Sequence, residues 1–189
     1  MGLRKKSKDK VMKTHRRYFR QCYQVLDAYL FENVCEYDLK QLRLPKSWKQ
    51  QSVRVDPRTF GLGCARARLY VIAYNTEKVC WSQDVPCFAD MVACLAARPC
   101  LGAGDYFCDR NANASSLTQS EAKKRFMTAD EMFQSHVLAT NKDQASCGSP
   151  VLARSHLSRS SAVMLAGNAM NVPCVGAALL AAILALQRV

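Results

Sequence analysis

The segment Phe60-Gly61-Leu62-Gly63-Cys64-Ala65-Arg66-Ala67-Arg68-Leu69-Tyr70-Val71-Ile72-Ala73 constrains the fold of this chain more than any other stretch. Its two glycines mark a turn, and the apolar, partly β-branched and aromatic run after them predicts a buried strand. Arg66 and Arg68 stand at the mouth of that strand, and at period 2 they share one face. A guanidinium is always charged and presents a planar fork of donors. Two of them beside a buried strand require either partners or an anionic or carbonyl-rich ligand. With 189 residues and 49% hydrophobic content, the chain can build one ordinary domain around such a strand.

The neighbouring segments predict what surrounds it. Residues 11–28 read as a basic amphipathic helix with Tyr18, Cys22, Val25 and Tyr29 near one face. Residues 29–35 form a short apolar run suited to a buried strand, and 38–44 a short helix closed by Pro45. Ser52–Val55 and Leu69–Tyr74 then flank the glycine turn as strands. This alternation is an α/β pattern. Residues 90–97 have helical spacing, whereas Gly102, Gly104 and 111–116 read as loop. Thr128 and Glu131 have capping-box spacing at a helix start, and 141–162 is polar with a turn at 148–150. Pro173 suits the first turn of an apolar helix over 174–186, whose alanines predict close packing against protein. At fifteen residues, 172–186 falls short of the roughly 20 that span a bilayer.

Charge is concentrated at the start of the chain. Residues 1–20 carry nine Lys or Arg against the single acid Asp9, which is +8 of the net +12. That balance favours phosphate-rich partners or an acidic surface, and its commonest form is a solvated tail. The run from Arg4 to Lys10 permits nuclear import. The ten cysteines include no CxxC, and His15, His136 and His156 do not pair with them at metal-ligand spacing. No metal site is expected. Cys80, Cys87, Cys94, Cys100 and Cys108, six to eight residues apart, read as small apolar core residues.

Three motifs fall in a particular order. Glu32-Asn33-Val34 ends a strand, Phe60 to Arg68 comes next, and Gly167-Asn168-Ala169-Met170 with Val172-Pro173 opens the last helix. Together they resemble the C-terminal portion of the DNA cytosine-5 methyltransferases. The first resembles that family's Glu-Asn-Val motif, the second its aromatic-Gly-x-Pro-Gln-x-Arg-x-Arg segment, and the third its closing Gly-Asn-x-x-x-Pro motif. The resemblance covers about residues 20–80 and 125–189.

Such enzymes flip a cytosine out of the duplex, attack C6 with a cysteine thiolate and methylate C5 from S-adenosylmethionine. The resemblance implies that Glu32 holds the N3 and N4 edge and that Arg68 holds O2. Arg66 would bind a nearby phosphate or brace the pocket. Asn168, Ala169 and Met170 would lie beside S-adenosylmethionine. It also implies a partial Rossmann-like methyltransferase fold: the second half of the sheet, a reduced target-recognition region and a C-terminal packing helix. The corresponding division is a basic tail over 1–20, a partial catalytic region over 21–79, a recognition-like region over 80–125 and a closing region over 126–189.

Two departures stand out. The family's aromatic-x-Gly-x-Gly cofactor turn and Pro-Cys-Gln nucleophile loop should precede Glu32, and neither is present in the 31 residues before it. Gly63-Cys64 also replaces Pro-Gln, removing a side-chain amide. The expected protein is therefore inactive alone, a truncated or degenerate relative that binds DNA and lacks the N-terminal half. The alternatives are a non-catalytic basic nucleic-acid-binding module that uses the N-terminal charge and the arginine strand, and a tail-anchored basic protein.

Overall fold

The computed structural model describes residues 3–62, 65–96, 129–136, 138 and 157–189. At its centre is β3 (Arg68–Asn75), paired antiparallel on one side with β1 (Ala28–Asn33) and on the other with β2 (Trp48–Val55). From Leu69 to Tyr74 every residue of β3 is buried, because both faces of the sheet are covered. A central strand of that kind needs a continuous apolar run, and the residues after Arg68 supply one. β2 begins at Trp48, four residues before the expected start. Its Lys49 and Gln50 are exposed, as suits a strand on the rim of a sheet, and the buried Trp48 anchors its start.

Short polar caps set the turns between strands. Asp38 accepts the Lys40 amide at 3.0 Å and starts a single 3-10 turn, Leu39–Leu42, where the sequence predicts a short helix. Asp56 likewise accepts the Arg58 amide and starts the 3-10 turn Pro57–Phe60. Gly61 closes that turn at φ 74°, the left-handed region that glycine enters without a Cβ penalty. The chain then leaves the turn toward Arg66 and β3.

Each sheet face carries its own layer. Leu69, Val71 and Ala73 point to one side, against Phe31 and Leu42 and against Phe19 of α1 (Leu3–Cys22). Residues 3–22, which include two thirds of the expected helix and the run from Arg4 to Lys10, are thus helical and joined to the core through Phe19. Tyr70, Ile72 and Tyr74 point to the other side, against Phe88 and Val92 of α2 (Phe88–Cys94) and against α5 (Val172–Ala185). Between these helices lie α3 (Ala129–Ser135) and α4 (Arg159–Asn168), which pack together. Thr128 lies outside the described residues.

Further features differ from the sequence expectations. α4 begins inside the segment 141–162, read as polar with no helix assigned, and is started by Ser158, whose hydroxyl accepts the Ser161 amide at 3.1 Å. The chain does not end as a helix: β5 (Leu186–Arg188) pairs antiparallel with β4 (Val79–Trp81) as a second, two-stranded sheet. And α5 is not packed on all sides. It buries Cys174, Ala177, Ala178, Ala181, Ala182 and Ala185 and leaves Leu179, Leu180, Ile183 and Leu184 exposed. Small side chains face the sheet because they let the helix approach closely. No helix among the described residues is long and apolar enough to cross a membrane. Cys80, Cys87 and Cys94 are exposed rather than core residues, and Cys100 and Cys108 lie outside the described residues; Cys174 is the buried thiol among those described.

Candidate functional site

The antiparallel register brings the two ends of the first two motifs together. Glu32 sits directly opposite Tyr70, and Arg68 is two residues before Tyr70 on the same face, one diagonal step away. The Arg68 Nε lies 3.2 Å from Glu32 Oε1, with the Glu32 side chain 9% exposed and that of Arg68 25% exposed. Arg68 Nη1 also donates to the Ala67 carbonyl at 2.8 Å. Burial raises the Glu32 carboxyl above its ordinary pKa; Arg68 and then Arg66 act in the opposite direction without cancelling it.

Arg66 lies two residues before β3, outside any regular element. Its Nη2 donates to the Ala169 carbonyl at 3.2 Å. The Arg66 amide also helps to hold Asp56: burial acts to raise that carboxyl, but hydrogen bonds and charge from Arg58, together with this amide, keep it below its ordinary value. Asn168 is the last residue of α4 and is exposed, as is Met170, while Ala169 is half-buried. Gly167-Asn168 therefore closes α4 and does not open the last helix. α5 is started instead by Asn171, whose Oδ1 accepts the Cys174 amide at 3.3 Å.

Two residues that carried no functional expectation complete this corner. Buried Asn171 uses its Nδ2 to donate to the Ser135 carbonyl at 3.3 Å, and the Val172 amide donates to the His136 carbonyl at 3.1 Å, tying α3 to the closing motif. An Asn two residues before a proline at a helix start is a readable cap signal. His136 is only 4% exposed, and its Nδ1 has no hydrogen-bond partner among the described residues. Burial and the nearby Arg66 and Arg68 charges push its imidazole down to about 4, against the opposing hydrogen bond to the Ala166 backbone. Nothing in the local sequence marks this histidine. The Tyr70 phenol, behind the ion pair, is driven upward by burial and then by Glu32 and Cys174, with Arg66 and Arg68 opposing.

The structure thus joins Glu32 to Arg68 and Arg66 to Ala169, and sets both pairs at the edge of the Tyr70 face. It leaves Asn168 and Met170 at the surface beside them.

No family model matches the chain, and no curated protein matches it. Among solved structures it is similar to the crystal structure of the Dnmt2 methyltransferase of S. pombe, with a TM-score of 0.54 and 17% sequence identity over 84% of this chain and 67% of that one. At that identity the likeness is one of fold: a mixed α/β chain with small sheets, arranged like part of a methyltransferase.

Proposed function

We propose that this chain is a DNA (cytosine-5) methyltransferase-like protein whose Glu32–Arg68 corner holds the Watson–Crick edge of an extrahelical cytosine. The observation that carries this reading is the largely buried 3.2 Å pair between them. The pair sets a carboxylate acceptor against a guanidinium donor, and Arg68 Nη1 is turned to the Ala67 carbonyl. Cytosine presents the complementary set, with a donor at N4 and acceptors at N3 and O2. In this reading Glu32 accepts from N4, and its raised pKa favours a carboxyl proton shared with N3. Arg68 donates to O2. Arg66, fixed on the Ala169 carbonyl, braces the corner or meets a phosphate.

S-adenosylmethionine, when bound, supplies the methyl group. Asn168 and Met170 are exposed and the Ala169 carbonyl is already engaged by Arg66, so this segment fits contact along one edge of that cofactor. The sequence carries neither the family's cofactor turn nor its Pro-Cys-Gln loop, and no transfer step is assigned to this chain alone. The partners of this reading are DNA and a polypeptide bearing those motifs, for which β1, at the edge of the three-stranded sheet, offers a strand to pair.

Binding to a fluorescent duplex with cytosine opposite an abasic site, against the same duplex with uracil, tests the base contacts. The wild type is expected to prefer cytosine, and Glu32→Gln to lose about tenfold of that preference, the scale of one charged hydrogen bond. Equal binding of cytosine and uracil by the wild type overturns the base-holding role. Methyl transfer from labelled S-adenosylmethionine by this chain alone, at an ordinary enzymatic rate, overturns the statement that it lacks the transfer machinery.

A further inference from the structure

The basic N-terminal region is displayed on a helix that the core holds by one face. Phe19 is buried edge-on against Trp48, with ring centroids 5.2 Å apart, and packs beside Tyr29 and Tyr23. One turn earlier, His15 Nε2 lies 3.0 Å from the Tyr29 hydroxyl and its ring meets Phe31 edge-on. Arg16 Nε donates to the Gln41 carbonyl at 2.6 Å, fastening the 3-10 turn Leu39–Leu42 alongside α1.

Anchored by positions 15, 16 and 19, α1 turns Lys13, Arg17 and Arg20 outward, and all three are exposed. They succeed one another at i, i+4 and i+7, the spacing of a single stripe. That stripe spans about 10 Å of helix, the length of about three phosphates along one strand of duplex DNA. Lys40 and Arg43, on and just after the fastened turn, are exposed as well. None of these five cations makes an ion pair among the described residues, whose three ion pairs are Arg58–Asp56, Arg68–Glu32 and Lys78–Asp27. The nearest acids in sequence are Asp9, four residues before Lys13, Asp27, which pairs with Lys78, Glu36, which is exposed, and Asp38, which accepts the Lys40 amide.

Like charges one turn apart destabilise a helix, and here the docking of Phe19 holds them in place. This surface lies on the Ala73 side of the sheet, whereas Glu32 and Arg68 lie on the Tyr70 side. We propose that the outer stripe of α1, Lys13, Arg17 and Arg20, together with Lys40 and Arg43, docks the phosphate backbone of a nucleic acid at a site separate from the Glu32–Arg68 corner. The proposal does not rest on the base-holding reading. A helix-held array of exposed cations without ion-pair partners among the described residues suits a polyanion.

The test measures binding of the full chain to a mixed-sequence DNA duplex and to a folded RNA between about 50 and 200 mM salt. The same chain is titrated with phosphatidylserine vesicles. Lys13→Glu/Arg17→Glu is compared with the charge-matched Lys49→Glu/Arg188→Glu, whose exposed side chains lie on β2 and β5. Log affinity should fall linearly with log salt, and the α1 pair should lower that slope by about 2, at about 0.9 per phosphate contact. The control pair should lower it by less than about 1. The better of the DNA and RNA arms identifies the source of the backbone, and either supports the surface. Should the glutamate pair unfold, Lys13→Gln/Arg17→Gln gives the same reading with neutral helix formers. Equal loss in both pairs, no salt-dependent binding, or tighter binding to vesicles than to either nucleic acid through Lys13 and Arg17 overturns the proposal.

Discussion

Arg66 donates from Nη2 to the Ala169 carbonyl at 3.2 Å, closing a contact between positions 103 apart in the chain. The bond joins the approach to the central strand to the short segment between α4 and α5. Arg66→Ala is expected to cost about 2 kcal/mol, the scale of a hydrogen bond from a charged donor. Amide exchange at residues 166–172 should quicken more than that of β3. Unchanged exchange at those residues would show that the clasp is held elsewhere.

His136 makes stability depend on pH. Its folded-state value of about 4 lies below the ordinary 6.5, so the unfolded chain binds more protons between the two. Stability should therefore rise with pH across that window, be complete above about 6.5, and be lost as pH falls toward 4. His15 is also lowered by burial and adds to the same trend, while Glu32, raised by burial, opposes it just above its ordinary value of 4.5. His136→Gln should flatten the rise by on the order of 2 kcal/mol in denaturation curves taken at several pH values. A rise as steep in the variant as in the wild type would assign it to other groups.

Phe19 is the anchor of α1. Phe19→Ala should cost about 3 kcal/mol by urea denaturation, within the range for a buried phenylalanine. The near-ultraviolet signal of Trp48, whose indole meets Phe19 edge-on, should weaken with it. A variant that keeps both the stability and that signal would show that α1 docks by other contacts.

Ala178 and Leu180, two residues apart on α5, should respond in opposite ways to what their sizes suggest. Ala178 is fully buried, and Ala178→Leu should cost about 1–3 kcal/mol by overpacking. Leu180 is exposed, and Leu180→Ala should change stability by about 0.5 kcal/mol or less. Thermal denaturation of the two variants separates this orientation from a helix rotated the other way.

The parts of the fold that were legible in the sequence are those set by local pattern. The apolar run after Arg68 predicts a buried strand, and β3 is one, whereas Arg66, expected to share a strand face with Arg68, lies before it. The parts that could not be read depend on distant partners or on weak local preference. β4 and β5 are three-residue strands that exist because they meet each other, more than a hundred residues apart. α4 contains Ser160, Ser161 and Gly167, poor helix formers, so its propensity was outweighed by packing on α3. The Glu32–Arg68 pair comes from motif order and register, whereas His136 belongs to the site only through tertiary packing. The cysteine spacing failed because these residues do not share one element: Cys80 lies in β4, Cys87 caps α2 and Cys94 ends it, so their intervals carried no information about burial.

All three strands of the main sheet come from residues 28–75, whereas α5, which covers its Tyr70 face together with α2, arrives from beyond residue 170. Short sequence separations close at lower entropic cost, so the sheet and its hairpin contacts are suited to form the folding nucleus, with α5 seated afterward. On that order, weakening α5 should quicken unfolding and leave the refolding rate almost unchanged. The lifetime of the folded protein would then be set by how long its last helix stays in place.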